Sequence, residues 1–120
     1  MFGGTMTFSE FEIKRFERAI DKFMAKRRPP AHVRDQVDFC FHIDEQSVEL
    51  SETRPHFRDA SKRIEIPFAK ALFESEDKHW KIFWHKSDMR WHNYEPLPVV
   101  KHFEEFLDVV AEDRHSYFFS

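Results

Sequence analysis

The segment HWKIFWHKSDMRWHNYEP, residues 79–96, contains all three tryptophans of the chain. In residues 79–85 two tryptophans and an isoleucine occupy every second position, and this period of two predicts a β-strand. A polar break follows, and a similar alternation over residues 89–94 predicts a second strand. The stretch is therefore predicted to form a hairpin in which Trp84 and Trp91 pair across the two strands.

Three further strands are predicted upstream of this hairpin. Residues 34–43 show the cleanest alternation of the chain, and residues 47–53 are predicted to return as a second strand with Ser51 facing outward. Residues 64–73 form the third strand, whose pattern changes phase at Pro67. Because proline cannot donate to a ladder, we expect a bulge or an edge position there.

The first predicted helix has a clear start and a clear end. Ser9 and Glu12 have the spacing of a capping box, which predicts a helix from about Glu10. Pro29 and the proline after it end the helix at about Arg27. Its predicted buried stripe consists of four residues spaced by three or four, namely Ile13, Phe16, Ile20 and Phe23.

A second helix is predicted near the C-terminus, with Pro98 in its first turn. Its predicted buried residues are Val99, Phe103, Phe106, Leu107 and Val110. Residues 117–119 are expected to pack into the core, and residues 1–7 are expected to be a loose tail. The predicted fold is a single α+β domain spanning residues 1–120. It has an N-terminal helix, an antiparallel meander sheet of four or five strands, and a C-terminal helix, with both helices on one sheet face.

Composition excludes several classes of protein. The only glycines are Gly3 and Gly4, so glycine-rich phosphate loops, dinucleotide fingerprints and nucleophile elbows are excluded. The formal net charge is -3, which is not the strong positive charge of a typical nucleic-acid-binding domain. Cys40 is the single cysteine, which favours a reducing cytosol, and no membrane-spanning segment is predicted.

The sequence also resembles a known family. The residues that carry the resemblance are Arg54-Pro55-x-Phe57, Pro67-Phe68-Ala69-Lys70, Trp80-x-Ile82-Phe83-Trp84 and Asp88-x-Arg90-Trp91-His92-x-Tyr94-x-Pro96. They are similar to a small bacterial family known as domain of unknown function number 3024, over about residues 8–119. The resemblance implies a single-domain, intracellular bacterial protein. It implies no activity and no functional residue.

The first functional hypothesis is a non-catalytic module that binds a protein partner, as a monomer or a homodimer. The face of the sheet away from the helices is predicted to present Cys40, His42, Glu49, Lys81, Phe83 and His85. The alternative is single-stranded nucleic acid, with Phe83 stacking on bases and cations contacting phosphates. The predicted binding residues are Lys26, Arg27, Arg28, Arg54, Lys81, Phe83, His85, Arg90 and His92.

Two further hypotheses, a metal site and an enzyme active site, have less support in the sequence than a binding module. Metal ligands could come from His79, His85, His92, Asp88 and the Cys40-x-His42 pair, but their spacings match no established zinc motif. No metal ligand and no cofactor is therefore predicted.

An enzyme could use His85 or His92 as a general base beside Asp88, with Lys70 or Arg90 stabilising negative charge during phosphodiester hydrolysis. No nucleophile with a recognisable signature accompanies them, so no catalytic residue is predicted.

Overall fold

The computed structural model describes residues 8–119, so the loose tail expected at residues 1–7 lies outside the described residues. The two helices are α1 (Glu10–Arg27) and α2 (Phe103–Glu112). The strands are β1 (Asp38–Ile43), β2 (Ser47–Pro55), β3 (Arg63–Glu74), β4 (His79–His85), β5 (Trp91–Asn93) and β6 (Val99–Val100). They form one antiparallel sheet in the order β1-β2-β3-β4-β5, with β6 paired to β4. The predicted α+β meander is confirmed.

The capping box fixes the start of α1 as predicted. The Ser9 hydroxyl accepts a hydrogen bond from the backbone N–H of Glu12, and the Glu12 carboxylate accepts one from the backbone N–H of Ser9. These bonds satisfy two donors that a helix N-terminus leaves without intrahelical partners. The helix ends at Arg27, also as predicted.

The first strand begins later than its alternation predicts. The segment between α1 and β1 forms a 3₁₀ turn at Ala31–Val33, and the backbone N–H groups of Gln36 and Val37 donate to the carbonyl of Val33. Arg34 reinforces this compact segment because its Nε donates to the carbonyl of Pro29 at 2.8 Å. The expected strand over residues 34–37 is wrong because these local bonds occupy the backbone.

A bulge lies beside Pro67. Leu50 pairs with Ala69, but Ser51 pairs with Pro67, so Phe68 is an extra residue in β3. The predicted bulge is confirmed, whereas the edge position is wrong because β3 lies between β2 and β4. Ser51 was expected to face outward, away from the core, yet it is only 1% exposed. It is covered because Cys40 and Pro67 flank this small side chain on the neighbouring strands.

The aromatic hairpin forms, but its tryptophans do not pair. The register places Trp84 opposite His92 and His85 opposite Trp91. Trp84 and Trp91 therefore point to opposite faces of the sheet. The register follows from the turn, in which Met89 has a φ of 67° and its N–H donates to the carbonyl of Lys86.

The C-terminal helix begins at Phe103, not near Pro98. Val99 and Val100 instead pair with Lys81 and Trp80 of β4 as the short strand β6. The reason is that β5 pairs only with the last three residues of β4, so the earlier part of that edge is available to another segment. The β-branched valines suit a strand better than a helix.

Both helices pack on the same face of the sheet, as predicted. The meeting point is Trp80 of β4, whose ring centroid lies 5.3 Å from that of Phe16 in α1 and 5.1 Å from that of Phe103 in α2. The rings of Phe16 and Phe103 are themselves 4.7 Å apart. The C-terminal segment completes this core, since Phe118 is 7% exposed and Tyr117 lies against Trp84. The expected packing of residues 117–119 into the core is confirmed.

Candidate functional site: a groove between the helices

A groove of about 630 Å³ runs between α1 and α2 on the side away from the sheet. It arises because Phe16, Ile20 and Phe23 turn one stripe of α1 toward the core, which leaves the adjacent stripe beside α2 in contact with solvent. Apolar residues from both helices line the groove: Ala19, Phe23, Ala25, Leu107 and Ala111. Three of the five are alanines, so a partner backbone can approach the helices closely.

The two sides of the groove carry opposite charge. Arg18, Lys22 and Lys26 line it from α1, interrupted by one acid, Asp21. The α2 side carries two acids, Glu104 and Asp108. Spacings of four residues on each helix place the charges of one sign along one side of the groove.

One ion pair crosses the groove at its end. Arg15 donates through Nε and Nη2 to the two carboxylate oxygens of Glu104, both at 2.9 Å. These hydrogen bonds lower the pKa of Glu104 below its ordinary value. The pair leaves the remaining groove charges, from Arg18 onward on α1 and Asp108 on α2, facing solvent.

The predicted basic cluster at the end of α1 does not form one surface. Lys26 lines the groove, whereas the Arg27 guanidinium lies over the ring of Phe119, 4.2 Å from its centroid. Arg28 makes two hydrogen bonds of 2.9 Å to Asp38 and thereby lowers the pKa of that carboxyl. Only the first of the three cations therefore faces the groove.

The open face of the sheet brings together other predicted residues. One row crosses the five strands from β1 to β5, namely His42, Glu49, Lys70, Phe83 and Asn93. The Lys70 ammonium lies 5.1 Å from the ring centroid of Phe83 and 4.8 Å from that of Trp91. His85 packs edge-on against Trp91 at 4.9 Å. The result is a half-buried aromatic cluster with a cation over its rings.

Two of the other predicted cations, Lys81 and Arg54, are paired with carboxylates. Lys81 lies 3.4 Å from Glu74 on the open face. Arg54 donates to Glu52 at 3.1 Å. His92 lies on the opposite side of the hairpin from Phe83, with its Nε2 2.9 Å from Asp88. Arg90 is exposed in the hairpin turn, where its backbone N–H donates to Asp88. The ion pairs of Lys81 and Arg54 reduce the positive charge offered to phosphates.

The residues of the enzyme hypothesis divide between the two faces of the sheet. Asp88 is hydrogen-bonded to His92 and to the backbone N–H of Arg90, whereas Lys70 and His85 lie on the other face. Lys70 therefore cannot contact the same reacting atoms as the Asp88–His92 pair.

The histidines of the metal hypothesis also separate. His79 Nε2 lies 2.7 Å from Glu74, while His85 and His92 have the separate partners described above. The Cys40-x-His42 pair, in contrast, is joined by Glu65 of β3. Burial, and then the charge of Glu65, raise the pKa of the Cys40 thiol to about 11.

Two features escaped the sequence analysis. Glu65 lies 23 residues from His42 and meets it only through the sheet register, which no short motif encodes. The groove also depends on how two distant helices pack. The sequence places Arg18, Lys22 and Lys26 on the first helix and Glu104 and Asp108 on the second, but it does not show that these charges face each other.

Comparison with protein families gives a match over residues 8–120 to the domain of unknown function DUF3024. The chain belongs to the DUF3024 family. Neither curated proteins nor solved structures give a match.

The match to DUF3024 includes every helix and strand described above, from Phe8, which stacks on Trp80, to Phe119. None of the helices that the structure describes in this DUF3024 domain is long and apolar enough to cross a membrane. The groove and the open sheet face both lie within the matched range.

Proposed function

We propose that this DUF3024 domain is a non-catalytic binding module that holds an amphipathic helix of a protein partner in the groove between α1 and α2. The observation that carries the proposal is the groove itself, about 630 Å³ in volume, with an apolar lining and sides of opposite charge. Amphipathic helices bind such grooves through apolar residues spaced by three and four.

The charges of the groove define the chemistry of the partner. A bound helix would place acidic residues beside Lys22 and Lys26 and a basic residue beside Asp108, since Glu104 is already paired with Arg15. Its central stripe would be apolar, because apolar side chains of both helices lie between the charged sides of the groove. Charge complementarity of this kind favours one orientation of the helix over the reverse.

Nucleic acid fits the groove less well than a protein helix. Phosphates in the groove would meet the acids of α2 as well as the lysines of α1, and Arg28, Arg54 and Lys81 are already paired with carboxylates. Since affinity for nucleic acid depends on cations that neutralise phosphates, this arrangement favours a polypeptide.

A displayed library of amphipathic helical peptides tests the proposal. The library carries a constant apolar stripe and random charges on both flanks, and it is selected on the folded domain. We expect enriched peptides to have acids on one flank and bases on the other. Their affinity should fall by more than roughly tenfold, about 1.4 kcal/mol, for the variant Lys22→Glu/Lys26→Glu.

The matched control is Lys14→Glu/Lys62→Glu, which changes the net charge equally at two exposed lysines outside the groove. This control should bind the peptides as the natural chain does. Equal loss of affinity in both double variants would show that total charge, and not the groove, determines binding. Failure of the selection to enrich any charge pattern would reject the proposed occupant.

The open sheet face supports a second candidate, single-stranded nucleic acid. The cluster of Lys70, Phe83, His85 and Trp91 combines rings with a cation, as base-stacking surfaces do. Quenching of tryptophan fluorescence by an oligonucleotide should then weaken steeply with salt and be reduced by Phe83→Ala. Binding that does not depend on salt would count against this candidate.

We also propose a location in the cytosol of a bacterium, in keeping with the single half-buried thiol of Cys40. Fractionation of the producing cells, followed by detection with an antibody, tests this location. Recovery of the protein outside the cytosolic fraction would contradict it.

A further inference from the structure

Three metal-ligating side chains meet on the open face of the sheet, on the side opposite the groove. Cys40 and His42 occupy alternate positions of β1, and Glu65 lies on β3. The intervening strand β2 presents the small side chains of Ser51 and Thr53 at this level, so Glu65 can reach across it. The ligand atoms of the three residues all lie within 4.8 Å of one another.

We propose that Cys40, His42 and Glu65 bind one divalent cation of the zinc type. The thiol gives up its proton to solvent, and the cation replaces the existing hydrogen bonds within the group. A thiolate, an imidazole and a carboxylate together favour zinc over magnesium or calcium, which prefer sites made of oxygen alone.

The distances fit such a cation with small adjustments. Metal–ligand bonds of 2.0 to 2.3 Å in a tetrahedron place the ligand atoms about 3.3 to 3.8 Å apart. Cys40 Sγ lies 3.6 Å from Glu65 Oε1 and His42 Nε2 lies 2.9 Å from Oε2 of the same carboxylate, so a rotation of the carboxylate brings one oxygen to a cation shared with both. The Cys40 sulfur and the His42 nitrogen lie at most 4.8 Å apart, so they approach each other by up to about 1.3 Å to reach a tetrahedral separation of about 3.5 Å.

The site would have three protein ligands and one position open to solvent. The side chains of His42 and Glu65 are 57% and 50% exposed, so water has direct access to the fourth position. Three protein ligands and a water are the arrangement of zinc sites that bind or activate small molecules. The inference therefore extends beyond the helix-binding groove and does not depend on it.

A second group in the described residues provides a control. Glu74, Asp77 and His79 also bring their ligand atoms within 4.8 Å of one another, but they contain no sulfur and lie at the β3–β4 turn. A cation held by Cys40 differs from one held here because only thiolate ligation gives a sulfur-to-metal charge-transfer absorption.

Titration of metal-free protein with Co²⁺, followed by displacement with Zn²⁺, tests the proposal. We expect a near-ultraviolet charge-transfer band that saturates at one Co²⁺ per chain and disappears on addition of Zn²⁺. Cys40→Ser should abolish the band. Glu65→Gln should weaken Co²⁺ binding by more than roughly tenfold, because loss of even an outer-shell partner costs that much. His79→Gln should leave the titration unchanged.

Absence of the band in the natural chain would overturn the proposal, as would a band that survives in Cys40→Ser. If Cys40→Ser proves unfolded by circular dichroism, His42→Gln provides the same test at an exposed position. It should retain the fold and weaken Co²⁺ binding by more than roughly tenfold. Unchanged affinity in that variant would equally reject the site.

Discussion

Asp113 connects the second helix to the C-terminal segment. It ends α2 with a left-handed backbone, φ 41° and ψ 49°. Its two carboxylate oxygens accept hydrogen bonds from the backbone N–H groups of Phe118 and Phe119, at 3.0 and 2.9 Å. A single side chain thus holds the segment whose rings contact Tyr94 and Phe39 in the core.

Replacement of Asp113 by alanine should destabilise the domain by about 1.5 to 3 kcal/mol, the usual worth of hydrogen bonds to a charged group. Urea unfolding measures this change in the free energy of unfolding. Hydrogen exchange at the amides of Phe118 and Phe119 should accelerate in the same variant.

Asp113→Asn is the matched control, because asparagine also tolerates the left-handed region and keeps one acceptor oxygen. It should lose less stability than the alanine variant. If the two variants lose equal stability, the carboxylate does not anchor the C-terminal segment through both of its oxygens.

At the scale of elements, the groove depends on how α1 and α2 are held together. The Phe16–Phe103 contact joins them near the sheet, and the Arg15–Glu104 ion pair joins them at the surface. Because both charged side chains are about half exposed, solvent screens the pair and limits its contribution to stability.

The Arg15–Glu104 pair predicts a defined pH dependence. The pKa of Glu104 in the folded protein is lower than its ordinary value of 4.5. The pair therefore contributes its full stabilisation at pH values above 4.5. The contribution is lost as the pH falls through the lowered folded pKa. Glu104→Gln should therefore reduce the free energy of unfolding at pH 7 by less than about 1 kcal/mol, and the difference should vanish near pH 2.

Urea unfolding of both proteins at the two pH values measures this difference. Glu105→Gln is the control, since it removes a carboxylate from the same helical turn and shares the interaction with the helix dipole. A deficit in Glu104→Gln that persists unchanged at low pH would contradict an electrostatic origin.

The sequence predicted those elements whose causes are local. The capping box of Ser9 and Glu12, the alternation of β4 and the phase change at Pro67 each specify structure within a few residues. The predicted start of α2 near Pro98 was wrong because residues 99–100 form β6, which pairs with β4 where the edge of that strand is available. That condition depends on the length of β5, which the neighbouring sequence does not encode.

The candidate sites were less predictable than the fold for the same reason. The open face was partly predicted, and Phe83 and His85 do lie on it beside Trp91. The groove requires α1 and α2 to lie side by side, and Glu65 reaches His42 only across an intervening strand. Side chains from distant parts of the chain become neighbours through packing and register, not through spacing.

At the scale of the whole molecule, the sheet separates two surfaces. The helices and their groove cover one side, while the aromatic cluster and the group of Cys40, His42 and Glu65 lie on the other. The net charge of -3 does not give the local charge of either surface, since opposite charges are divided between the two sides of the groove. The two surfaces can therefore be tested by separate substitutions.

Site-specific photocrosslinking in the producing cells determines which of the two surfaces contacts a protein partner. A benzophenone amino acid is placed at Ala25, an exposed position of the groove, and in a second protein at Asn93 on the open sheet face. We predict a crosslinked protein at Ala25, attached through an amphipathic helical segment and lost in Lys22→Glu/Lys26→Glu. Crosslinks from Asn93 alone, or crosslinks from Ala25 only to nucleic acid or to a second copy of this chain, would contradict the account.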